Sequence, residues 1–348
     1  MTLLRFLAGA CITAALAPSC GATVVPSFDS SELLKQADTV FTGQVLQGPA
    51  PGVGIIEVRA DQVLKGDENL RAGGVLKIRL TQAMPPGVQS GARGVFLVHC
   101  TSRDAPCTVL NGAQPSWPAV QTGALAPTSR DDGDRVSRGV VAELMSVIAA
   151  GDAQLAASTA RGVLSEDEAA QLRETASRAL ETLPQQAVLD ALRAVGSPST
   201  PAVALQLAGL GVHVGDYSRL RGVSSLMLAE DAALARPRRY TAWAVSDAET
   251  PPASIVPDLV PWLSASDRLV RRAAASAMRD IASPAVVRPL LERGLSDPDQ
   301  EIRYLATTGL AAATKDGDYV AFEPYKAAEA RYLAFWKARR SRLEATFP

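Results

Sequence analysis

Residues 252–283 repeat in 284–315. Sliding one onto the other matches Pro252 with Pro284, Ala253 with Ala285, Pro257 with Pro289, Leu259 with Leu291, and Leu263 with Leu295. Ser264, Asp267, Arg271 and Ala274 likewise fall on Ser296, Asp299, Arg303 and Ala306. A period of 32 residues with helical spacing predicts paired helices stacked as a solenoid, because each unit can bury its apolar face only against a neighbour. Asp267 to Arg271 and Asp299 to Arg303 are each four apart. On a helix such pairs meet on one face and contribute about 0.3 kcal/mol each. Leu220, Arg221, Ser224 and Leu228 fit the pattern of Val270, Arg271, Ala274 and Met278, which predicts a second-type helix there in an irregular stretch of the array.

Helical periodicity begins after Val136, with Val140, Val141, Leu144, Val147 and Ile148 at three- and four-residue steps. Ser165 and Glu168 form a capping box that starts a helix running to about Leu183. Further helices are expected over 185–195, 200–210 and 217–230. Tyr325, Ala328, Tyr332, Phe335 and Trp336 make one apolar stripe, so 323–345 reads as a terminal cap with a basic tip at Lys337, Arg339, Arg340 and Arg342. Arg236, Arg238 and Arg239 with Tyr240 and Trp243 could meet an acidic partner, but one short patch in a neutral chain reads first as a solvated loop, and His213 reads as a loop residue between helices.

This half resembles HEAT repeats of the short, bilin-lyase type. The resemblance implies a protein-binding or scaffolding surface, with the Asp–Arg pairs stitching neighbouring repeats. The expected binding face is the concave side of the second helices, around Arg221, Arg268, Arg272 and Tyr304.

The first third alternates with a period of two. Ile56, Val58 and Ala60 face away from Glu57, Arg59 and Asp61, and Leu76, Ile78 and Leu80 from Lys77 and Arg79. Val95 to Val98 is continuously apolar, as in a strand covered on both faces, and Thr108 to Leu110 can pair with it. Some five strands with Gly-rich turns predict a small antiparallel barrel. A short helix over Glu32 to Ala37, capped by Ser30 or Ser31, precedes them. Cys100 and Cys107 are placed to close a small loop as a disulfide; a zinc site would want closer cysteines and two more ligands.

The runs Ala37-Asp-Thr-Val-Phe-Thr-Gly-Gln-Val45, Val63-Leu-Lys-Gly66 and Gly94-Val-Phe-Leu-Val98 resemble a bacterial netrin-like, OB-type module. That module is related in fold to the tissue inhibitors of metalloproteinases. Those inhibitors chelate a protease zinc through an N-terminal cysteine, a role only Cys20 can match, and only if cleavage exposes it.

The chain begins like an export signal: Arg5 is followed by an uncharged apolar run from Leu7 to Ala17, too short to span a bilayer. Cleavage fits after Ser19 or after Ala22. In the first case Cys20 becomes the first residue, free or lipidated. The organisation expected is thus a signal peptide over 1–22, a barrel over 23–120, a linker over 121–135, and a helical solenoid over 136–345.

Composition narrows the function. Lys plus Arg is 35 against 36 Asp plus Glu, so no basic excess marks a nucleic-acid binder. The 2 histidines exclude histidine-rich metal sites. No nucleophile elbow, His-Glu-x-x-His or phosphate-binding glycine loop occurs. The expectation is an α+β multidomain protein, an antiparallel OB-type β-barrel followed by a HEAT-like α-solenoid. It is expected to be exported to the periplasm, envelope or exterior, to use no cofactor or metal, and to bind a protein partner. Membrane attachment is expected only through a lipidated Cys20.

Overall fold

The computed structural model describes residues 30–48, 54–66, 72–80, 90–100, 105–110, 117–118, 132–159, 163–317 and 320–347. The export signal, Cys20 and most of the expected linker lie outside the described residues. After helix α1 (Ser30–Gln36) come β1 (Thr39–Gln47), β2 (Ile55–Lys65), β3 (Val75–Arg79), β4 (Arg93–His99), β5 (Cys107–Val109) and β6 (Trp117–Pro118). The sheet runs β1-β2-β3-β5-β4 and closes by pairing β4 back onto β1, with β6 added beside β4. That order is an OB-type five-stranded barrel. One pairing departs from the expected antiparallel pattern: β3 and β5 run parallel.

The alternation read in β2 is real, with Ile56, Val58 and Ala60 buried. Phe41 lies opposite Phe96 in register, and the rings stack at 5.2 Å inside the barrel. The unbroken apolar run of β4 has a specific cause. Phe96 and Val98 fill the barrel, while Val95 and Leu97 face outward into a second core.

That second core joins the two halves. Helices α2 (Asp132–Ala149), α3 (Asp152–Ser158), α4 (Glu166–Glu181), α5 (Gln185–Ala194) and α6 (Pro201–His213) follow the barrel. Val136, Val140, Leu144 and Ile148 of α2 share one apolar cluster with Leu33, Val40, Leu64, Val95 and Leu97 of the barrel half. At Gly139 a Cβ would stand 2.9 Å from a Leu64 methyl, so glycine permits the close approach of α2 to β2. Helix α2 also starts at Asp132, inside the stretch read as linker. The capping box at Ser165 forms as expected.

The array continues with α7 (Leu220–Leu228), α8 (Ala235–Asp247), α9 (Val256–Leu259), α10 (Arg268–Ile281), α11 (Val287–Glu292), α12 (Gln300–Thr314) and α13 (Phe322–Thr346). Short 3-10 turns, Pro261–Ser264 and Gly294–Ser296, extend α9 and α11. Helices α6, α8, α10 and α12 pack successively side by side, while α9 and α11 back onto the helices that follow them. The repeated residues are core: Leu259, Leu263, Val270, Ala274 and Met278 are buried, as are Leu291, Leu295, Ile302, Ala306 and Leu310.

Two sequence expectations fail here. Helix α7 packs on α6 and α9, so it is a first helix of its pair, not a second; its apolar spacing alone does not say which layer it joins. The second helix is α8, where a loop was expected. Pro237 is compatible with a helix because it lies in the first turn, where the missing N–H has no intrahelical partner to lose.

Helix α13 covers the open end, burying Tyr325 and Trp336. Its basic tip is largely neutralised. Arg339 and Arg342 both reach Asp316, and Arg340 bonds Glu344 at 2.7 Å. No helix among the described residues is long and apolar enough to cross a membrane.

Candidate protein-binding face

The second helices of the two matching repeats, α10 and α12, begin at aspartates. Asp267 Oδ1 accepts the Leu269 N–H at 2.8 Å, and Asp299 Oδ1 accepts those of Glu301 and Ile302 at 2.9 and 3.3 Å. Each is an N-cap, outside the helix proper. The expected four-residue pairs with Arg271 and Arg303 therefore do not form, because the carboxylates turn back onto the helix amides.

The arginines do something else, and do it twice. Arg271 Nη1 donates to the Ala265 and Ser266 carbonyls, both at 2.9 Å, and its Nε donates to Asp297 of the next repeat at 2.9 Å. One period later, Arg303 Nη1 donates to the Asp297 and Pro298 carbonyls, and its Nε to Glu329 of the cap at 2.7 Å. Each acid follows its arginine by 26 residues. Arg303 holds the Glu329 carboxyl below its usual range. Tyr325 also donates to Glu329, at 3.2 Å, and burial pushes its hydroxyl up to about 12. This ladder ties the first of the two matching repeats to the second and the second to the cap. One period upstream, Ala265 stands where Asp297 would be, and Arg239 stands where Arg271 would be.

The expected binding residues divide. Arg268 and Arg272 lie together on α10 and share Glu301 of α12, at 3.3 and 2.8 Å; Arg268 also pairs with Asp299. Tyr304 is not free for a partner, since its ring packs edge-on against Phe322 at 5.1 Å and beside Tyr325 at 5.3 Å of the cap. Arg221 is highly exposed and pairs with Asp258 at 3.5 Å. It belongs to the first-helix layer, so it does not share a face with the α10 arginines.

Between the expected helix α4 and α8, whose residues read as a loop, the structure builds one shared surface. Arg236 binds Asp167 at 2.9 Å and Glu174 at 3.1 Å, and lines an open groove of about 360 Å³ with Arg239, Glu166 and alanines of both segments. Trp243 is 54% exposed, and the Arg178 guanidinium stacks over its ring at 4.2 Å. Glu181 holds Arg178 in place at 3.4 Å. Arg239, one turn before Trp243, is exposed and makes no ion pair among the described residues. Tyr240, Thr241, Ala244 and Val245, all buried at helical steps, were the signal that could have identified α8.

Tyr240, the residue buried beneath this surface, joins a half-buried polar group with Glu181 and His213. Tyr240 donates to Glu181 Oε1 at 2.9 Å, and His213 Nε2 approaches the same oxygen at 3.2 Å. His213 is the last residue of α6, not a loop residue. Burial lowers its pKa below 6.5; Glu181 and Asp247 oppose that shift and Arg178 adds to it. A histidine whose folded pKa is depressed stabilises the fold above about pH 6.5, and that contribution is lost as pH falls toward the folded pKa. His213→Gln is therefore expected to flatten the loss of denaturation free energy between about pH 7 and pH 5. Equal slopes for the two proteins would show that His213 does not couple to folding.

The comparison with protein families agrees with the geometry of the array. No curated protein matches the chain. Residues 227–311, from the end of α7 through most of α12, match the family described as HEAT repeats.

Proposed function

We propose that this chain is an exported, non-catalytic scaffold that binds a protein partner on the face formed by α4 and α8, centred on Trp243. The single observation that carries the reading is the exposed Trp243 ring with Arg178 stacked on it, one helical turn from Arg239, which is exposed and has no ion pair among the described residues. Tryptophan and arginine are the side chains most enriched among residues that dominate binding energy, and an arginine fixed by Glu181 loses little further freedom on binding. The match to HEAT repeats supports interaction as the role of the array, and the Cys100–Cys107 disulfide supports an oxidising compartment.

The test is a photo-crosslinking side chain at position 243, 239 or 228 in the native host. Position 228 is a control on the first-helix layer, where Leu228 is also exposed. A discrete adduct is expected from 243 and 239 and not from 228. Trp243→Ala should weaken capture of the identified partner by roughly 30-fold, while shifting stability by no more than about 0.5 kcal/mol. Adducts of equal yield at all three positions, or unchanged capture by Trp243→Ala, would refute this face.

A further inference from the structure

One seam of the barrel runs through β5, the shortest of its five strands. The described β5 has 3 residues. Among the described residues it pairs with β3 at Ile78–Cys107 and Arg79–Thr108, and with β4 at Val98–Val109 and His99–Thr108. By contrast β1 is zipped to β4 along Thr39 to Gln44 and to β2 along Val40 to Gln47. So few pairs between separate segments are a weak seam, because chain entropy opposes ordering β5 with little ladder to offset it. Yet Cys107 and Val109 are buried in the barrel core beside Ile78 and Val98. The covalent link from Cys107 to Cys100, the residue that follows β4, ties the strand down.

The two ends of that link differ. Cys100 is anchored independently of the disulfide: it follows β4 directly, and its N–H donates to Asp38 at 3.3 Å while Asp38 also pairs with His99. Cys107 is buried, whereas Cys100 is only partly so. An incoming thiolate therefore meets the Cys100 end first.

We propose that Cys100–Cys107 is a redox-sensitive latch that holds β5 in place and so keeps the barrel closed. The reactant is a dithiol. One of its thiolates attacks Cys100 Sγ, the Cys100–Cys107 bond breaks, and Cys107 leaves as a thiolate that takes up a proton. The second thiol then attacks the mixed disulfide, forming the reductant's own disulfide and releasing Cys100 as a thiol. The dithiol is oxidised by two electrons and the latch is reduced by two. With the tie cut, β5 leaves the seam and exposes Ile78 and Val98. No β5 residue is in the buried cluster of Val40, Leu64, Val95 and Leu97 with α2, which meets this end of the chain only at the edge, through the partly buried Leu110, so the junction between barrel and helices stays closed.

Native-state hydrogen exchange on the full chain tests this in three forms: oxidised, reduced by dithiothreitol, and Cys100→Ala/Cys107→Ala. In the reduced and the alanine forms, amides of 107–109 and 78–79 are expected to lose roughly 50-fold in protection, the loop-closure effect of a short disulfide loop. Amides of 40–45 and 140–148 should keep theirs, and reoxidation should restore the seam. Unchanged protection at 107–109 after reduction would overturn the latch. Equal loss across β1 and α2 would overturn it too, since the disulfide would then support the whole barrel rather than one seam.

Discussion

Asp297→Ala is expected to cost about 3 kcal/mol, far more than an ordinary surface charge. The Asp297 side chain is 4% exposed and that of Arg271 14%. Removing the carboxylate strands the Arg271 Nε in the interior, because the Ala265 and Ser266 carbonyls keep the guanidinium where it is. The Asp299 N–H, which Asp297 accepts at 2.8 Å, loses its partner as well. Arg271→Met with Asp297→Ala should recover about 2 kcal/mol of that cost, since both buried polar partners are then gone. Denaturant unfolding of the wild type, both single variants and the double variant reads this coupling directly. Additive losses would show that the ladder contributes nothing as a pair.

Leu144→Ala is expected to cost about 3 kcal/mol through loss of burial and the cavity left behind. More informative is where the damage spreads. Leu144 is fully buried in the cluster that joins α2 to Val40, Leu64, Val95 and Leu97. Hydrogen exchange should therefore show β1 and α2 losing protection together. If β1 keeps its protection while α2 opens, the barrel and the helices are independent units and the shared core has no cooperative role.

How far the sequence could be read depended on whether a residue's partner lay nearby. Barrel alternation, the Ser165 capping box, the cysteine pair and the downstream repeat involve partners within one element or at a fixed offset, and each was legible. Helix α8 was hidden because Arg236, Pro237, Arg238 and Arg239 look like loop residues until their burial and partners are seen. Arg238 is in fact buried, and Arg236 is paired with two acids of α4 more than 60 residues away. Placement of the expected binding residues was not legible: Arg268 and Arg272 both reach Glu301, Tyr304 is covered by the cap, and Arg221 pairs with Asp258 in the other layer.

The local code determined that this chain makes a barrel followed by a helical array, because period and capping are properties of neighbouring residues. Tertiary structure alone decided which carboxylate each arginine meets. It turned Asp267 and Asp299 into caps, sent Arg271 and Arg303 forward to Asp297 and Glu329, and set Arg178 on the face of Trp243. It also merged barrel and helices into one core where the sequence suggested a linker. These outcomes rest on desolvation and packing between distant segments: a charge leaves water only where a partner is already fixed, and an apolar face is buried by whichever neighbour fits it.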